Sequence, residues 1–152
     1  MTLDIQSADS PEPISIQICG GVGAPRQARN SVLSRLEGRV SDADALDAAL
    51  IVSELVTNSV VHAKVAADRA VTVELTTFED RLRITVVDSG GPSEPRMLVP
   101  DLAGSGGFGL FIVDALAGAW GLARDCIGTT SVWCDLMLGP SRVASAAAKT
   151  AV

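Results

Sequence analysis

One long helix organises this sequence. Ser41-Asp42 offers a capping side chain and an acidic first turn. From there to about His62, the residues Ala45, Ala48, Val52, Leu55, Val56 and Ser59 recur at spacings of three and four, which marks one helix face. A stripe that long must lie against a broad partner layer. The next residues supply one. Val71, Val73 and Leu75 alternate with polar neighbours, Glu79-Asp80 makes a turn, and Leu82, Ile84 and Val86 alternate with Arg81, Arg83 and Thr85. This pattern predicts an antiparallel hairpin with one face on the core.

The rest of the chain fits around that pair. Ile14, Ile16 and Ile18 form a half-buried strand, broken by Gly20-Gly21. Ala28, Val32 and Leu36 stripe a helix from about Pro25 to Leu36. Residues 89–107 hold Gly, Pro and Ser with little periodicity, and an irregular segment of that length suggests a lid. A helix follows from near Phe108 to Gly118, then strands at Gly121–Asp125 and Ser131–Leu138 around Gly128. The order β-α-α-β-β-lid-α-β-β defines an α+β fold, a two-layer α/β sandwich whose mixed or antiparallel sheet carries helices on one face. Residues 1–12 and 140–152 read as loose tails flanking one domain at 13–139.

Composition narrows the function. The net charge of −6, with no Lys/Arg block, argues against a nucleic-acid surface. No apolar run is long enough to span a membrane, and the N-terminus is acidic and polar rather than signal-like, so a cytoplasmic protein is expected. The 3 cysteines, Cys19, Cys126 and Cys134, lack metal-ligand spacing and are expected as buried thiols.

Three segments carry chemistry. Glu54 and Asn58 stand one helical turn apart, on a stripe with Asp47, Ile51 and Val61 roughly opposite the apolar one. A carboxylate and an amide oxygen so placed suit Mg²⁺ and a hydroxyl or water, though both residues are also ordinary on a solvated helix face. Asp88 ends an apolar strand before Gly90-Gly91, where a carboxylate can accept a bond from an exocyclic amine. Asp-Ser-Gly is equally common turn chemistry. Gly104, Gly106, Gly107 and Gly109 run into the apolar helical stretch from Leu110, so free N–H groups and the positive dipole end can meet an anion. The same glycines also suit a plain flexible loop. His62, the single histidine, closes the long helix and reads as structural.

In this order the segments resemble the ATP-binding domain of the gyrase, histidine-kinase and MutL type. Glu54–Ala63 is similar to its N box, Asp88–Gly91 to its first glycine box and Gly106–Leu110 to its second. Within that superfamily, Ala48–Asn58, Gly107–Val113 and Trp120-Gly121 with Gly128 and Val132-Trp133 resemble the bacterial anti-sigma-factor serine kinases and their single-domain actinobacterial relatives. The resemblance implies the histidine-kinase-like (Bergerat) sandwich, with Mg-ATP between the lid and the long helix. By position, Asn58 would ligate Mg²⁺ and Asp88 would read adenine. Gly90, Gly104, Gly106, Gly107, Gly109 and Leu110 would frame base and phosphates. A hydroxyl near Thr130 would help hold the adenine, with Thr129 and Ser131 competing for that place. Glu54 would take the proton from a substrate serine, and Arg26 matches an arginine used toward partners.

The implied partners are an anti-anti-sigma factor, a sigma factor or both, and a homodimer is allowed. The chain departs from the pattern at Ala103-Gly104, where such kinases often carry an arginine. Two functions therefore stand side by side: a Mg-ATP-dependent protein serine kinase, and a nucleotide-gated module that captures a partner without phosphoryl transfer. An intact histidine kinase and a gyrase-like ATPase fit less well, since neither a dimerisation helix nor a second domain is evident.

Overall fold

The computed structural model describes residues 11–62, 69–88 and 108–139. Its elements follow the expected order: β1 (Ile14–Cys19), α1 (Ala24–Leu36), α2 (Asp42–His62), β2 (Ala70–Thr77), β3 (Arg81–Asp88), α3 (Phe108–Leu116), β4 (Ala119–Arg124) and β5 (Thr130–Met137). The strands form one sheet in the order β1-β2-β3-β5-β4, and every neighbouring pair is antiparallel. The expected lid at 89–107 and both tails lie outside the described residues, apart from Pro11-Glu12.

Helix boundaries follow local chemistry. Pro25 opens α1, and Gly38 follows its end at φ +72°, a left-handed conformation glycine adopts without penalty. Ser41 caps α2, its Oγ accepting the Asp44 amide at 3.1 Å, and Asp42 and Asp44 face the positive end of the helix dipole. The Asp44 carboxylate also accepts the Gly139 amide at 3.2 Å, which ties the end of β5 to the start of α2.

All three helices lie on one face of the sheet. α1 packs on β1, α2 crosses β2, β3 and β5, and α3 packs on α2 and β4. Alternation along the strands sends Ile16 and Ile18, Val71, Val73 and Leu75, Leu82, Ile84 and Val86, and Cys134 and Leu136 into this core, where they meet Val52, Leu55 and Val56 of α2. One expectation needs correction: of the cysteines only Cys134 is buried, while Cys19 and Cys126 are exposed. Burial, with the Asp135 charge beside it, pushes the Cys134 thiol up to about 12, so that sulfur stays protonated.

The opposite sheet face is polar and holds a side-chain network. Arg83 grips Asp135 with two hydrogen bonds of 2.8 Å and lies 4.8 Å over the Trp133 ring. Arg81 approaches the same carboxylate at 3.7 Å. The Arg83 hydrogen bonds hold the Asp135 carboxyl below the usual range, against its partial burial and with help from both arginine charges.

Trp133 in turn roofs Gly121: a Cβ there would stand 2.8 Å from the indole Nε1. With the indole pinned by Arg83, Gly121→Ala should cost about 1–3 kcal/mol of stability, measured by urea unfolding. Asp135 gives a second expectation. Its folded pKa is depressed, so its pairing stabilises above the unfolded value, near ~4, and that stabilisation drains away as pH falls through the folded value. Asp135→Asn should therefore flatten the loss of stability between roughly pH 5 and pH 3 in melts at stepped pH.

Candidate functional site

The core row that runs along the sheet changes character at the end of β3. Asp88 continues the parity of Leu82, Ile84 and Val86, so its side chain faces the helices, yet it is a carboxylate only 6% exposed. Its direct cross-strand partner on β5 is Thr130, also 6% exposed, and the row ends on β4 at Arg124. Side chains opposite each other on one face come within contact range. This geometry separates Thr130 from the two neighbours that competed with it in the sequence. Ser131 pairs with Val87 on the far face and Thr129 precedes the strand, so Thr130 is the hydroxyl beside Asp88.

The second part of the site is on α2. Glu54 and Asn58 are both half-buried. Their supposed stripe is not a solvent face, because Ile51 within it is fully buried and only Val61 is well exposed. The reason is the packing: α1 and α3 both lie against α2 and the sheet lies beneath it, so few of its faces reach water. Other hydroxyls on this helix are turned inward. Thr57 Oγ1 donates to Ser53 O at 2.7 Å, and Ser59 Oγ to Leu55 O at 3.3 Å.

The third part is the start of α3. Gly109 lies in its first turn and half-buried Leu110 packs on the core, so this helix begins directly after the glycine cluster. Gly90, Gly104, Gly106 and Gly107 lie outside the described residues. Arg26 is exposed near the start of α1. Among the described residues no helix is long and apolar enough to cross a membrane, and no three His, Cys, Asp or Glu side chains cluster as metal ligands.

The donor chemistry of Asp88, Thr130, Glu54 and Asn58 suits a nucleotide with one hard cation. A buried carboxylate and hydroxyl interrupt an otherwise apolar row, as a base with a polar edge requires. A single amide oxygen on α2 suits Mg²⁺, which retains waters and phosphate oxygens. The sequence motifs passed over one feature beside this row: the β4–β5 turn, held by the Asp125 carboxylate. Asp125 gave no motif signal, since a lone aspartate before a glycine is common in turns.

With fold and geometry in hand, comparison with known proteins is decisive at the level of family. Residues 22–128 match the histidine kinase-like ATPase domain, and the chain belongs to that family. It is also similar to the serine-protein kinase RsbW of Bacillus licheniformis, with 33% identity over 109 residues. That alignment covers 62% of this chain and 66% of the relative, just under two thirds of its length.

Proposed function

We propose that this chain is a Mg-ATP-binding regulatory protein, an anti-sigma-factor type serine kinase that phosphorylates an anti-anti-sigma partner, sequesters a sigma factor, or does both. The observation that carries the reading is the buried Asp88–Thr130 pair on the helix side of the sheet, in a chain of the histidine kinase-like ATPase family. Similarity to a serine-protein kinase supports the reaction class.

The residues divide the work. Asp88 accepts a hydrogen bond from the adenine amine and Thr130 supports the same edge of the ring. Asn58 would hold Mg²⁺ through its amide oxygen, and the start of α3, with Gly109 and Leu110, would take the phosphates, a role the resemblance extends to Gly90, Gly104, Gly106 and Gly107. ATP supplies the transferable phosphoryl group. The Glu54 carboxylate accepts the proton of the substrate serine hydroxyl as its oxygen bonds to phosphorus and ADP leaves. Arg26, exposed on α1, serves the partner surface. A second reading, a nucleotide-gated module without transfer, draws support from Ala103-Gly104, which stand where such kinases often carry an arginine.

Two experiments test this. Asp88→Asn replaces an acceptor by a group that can present a donor, and ADP affinity in calorimetry should fall about 10- to 100-fold. An unchanged dissociation constant in the folded variant rejects the site. Glu54→Gln should keep ADP affinity within about threefold while cutting serine phosphorylation of a candidate partner about 10²–10⁴-fold, read with labelled ATP. Wild-type protein that binds ATP and its partner yet never yields phosphoserine selects the binding module.

A further inference from the structure

The turn between β4 and β5 is closed by one side chain. Asp125 Oδ1 accepts the amide of Ile127 at 3.0 Å and that of Thr129 at 2.8 Å. The backbone completes the loop: Asp125 N donates to Thr129 O at 3.0 Å and Gly128 N to Asp125 O at 3.2 Å. Gly128 sits at φ +92°, a conformation that permits so tight a return. Partial desolvation works to raise the Asp125 pKa, but donors from Thr129, Ile127 and Gly128 together hold it low, so the carboxylate is ionised at neutral pH.

The next residue pair after this loop is Arg124 with Thr130, and Thr130 is in turn opposite Asp88. The turn thus adjoins the first residue of β5, which the β3–β5 pairing places in the buried row. Thr129, whose amide Asp125 holds, is the residue directly before Thr130, so the turn fixes the backbone from which the Thr130 side chain departs. Asp125 itself is exposed and lies on the rim of the sheet, so it can change without disturbing the core.

We propose that Asp125 is a positioning residue for the nucleotide site: by closing the β4–β5 turn it fixes the backbone at the start of β5, where the Thr130 hydroxyl stands opposite Asp88. This rests on the nucleotide reading above and goes beyond it, since Asp125 acts through Thr130.

The test is a double-mutant cycle on the full chain, with ADP as the probe and calorimetric affinity as the readout. Asp125→Ala should weaken ADP binding roughly tenfold, since two hydrogen bonds that hold the turn are lost. Asp125→Asn keeps an acceptor oxygen at the same place and should bind within about twofold of wild type. In a Thr130→Ala background, Asp125→Ala should add less than about twofold, because its effect runs through that hydroxyl. Unchanged affinity in Asp125→Ala, the same loss in both backgrounds, or no rescue by Asn overturns the proposal. If Thr130→Ala binds ADP weakly while Asp125→Ala binds like wild type, the nucleotide site stands and the role of Asp125 falls. If Thr130→Ala binds like wild type, the assignment of Thr130 fails, and the role of Asp125 fails with it.

Discussion

The burial of α2 is the constraint on which this domain depends. Ala48, Ala49, Ile51, Val52, Leu55 and Val56 are all essentially removed from water, and the helix touches α1, α3 and three strands. Each buried aliphatic side chain contributes on the order of 1.5–3 kcal/mol relative to exposure, so no other element carries comparable weight. A helix clamped in this way is a rigid mount. Glu54 and Asn58 belong to it, and half-buried side chains on a rigid helix lose little freedom when a ligand arrives.

The two faces of the sheet do different work. The helix side is apolar until its row reaches Asp88 and Thr130, where it turns polar and buried together. The other side is more polar and is braced by the Arg83–Asp135 fork and by the indole of Trp133 over Gly121. That bracing crosses β3, β5 and β4, the same three strands that carry Asp88, Thr130 and Arg124 on the reverse face. The network thus stiffens the strands beneath the candidate site without entering it.

Much of the fold was legible in the sequence, because its signals are local. Capping by Ser41, the period of α2 and the strict alternation of β2 and β3 each declare an element within a few residues. What was not legible is what depends on neighbours distant in the chain. A helical wheel placed Ile51 with Glu54 and Asn58 on an outward stripe, but it could not know that further helices would flank α2 and bury Ile51. The resemblance favoured Thr130 but left Thr129 and Ser131 as competitors, and the β3–β5 register sets Thr130 beside Asp88. The Arg83–Asp135 fork joins residues 52 apart, and no short motif announces such a pair.

The strand order has a consequence for the way the molecule comes together. β5 is last in sequence among the described strands, yet it lies between β3 and β4. Until it docks, β3 presents an unpaired edge, β4 has no neighbour, and the tie between Asp44 and Gly139, 95 residues apart, cannot form. Contacts of such long sequence separation are slow to close and leave a half-finished, aggregation-prone sheet in the interval. The Asp88–Thr130 row is completed by that same final insertion. A ligand that needs both residues cannot bind the unfinished chain, so its presence draws the population toward the closed sheet by mass action.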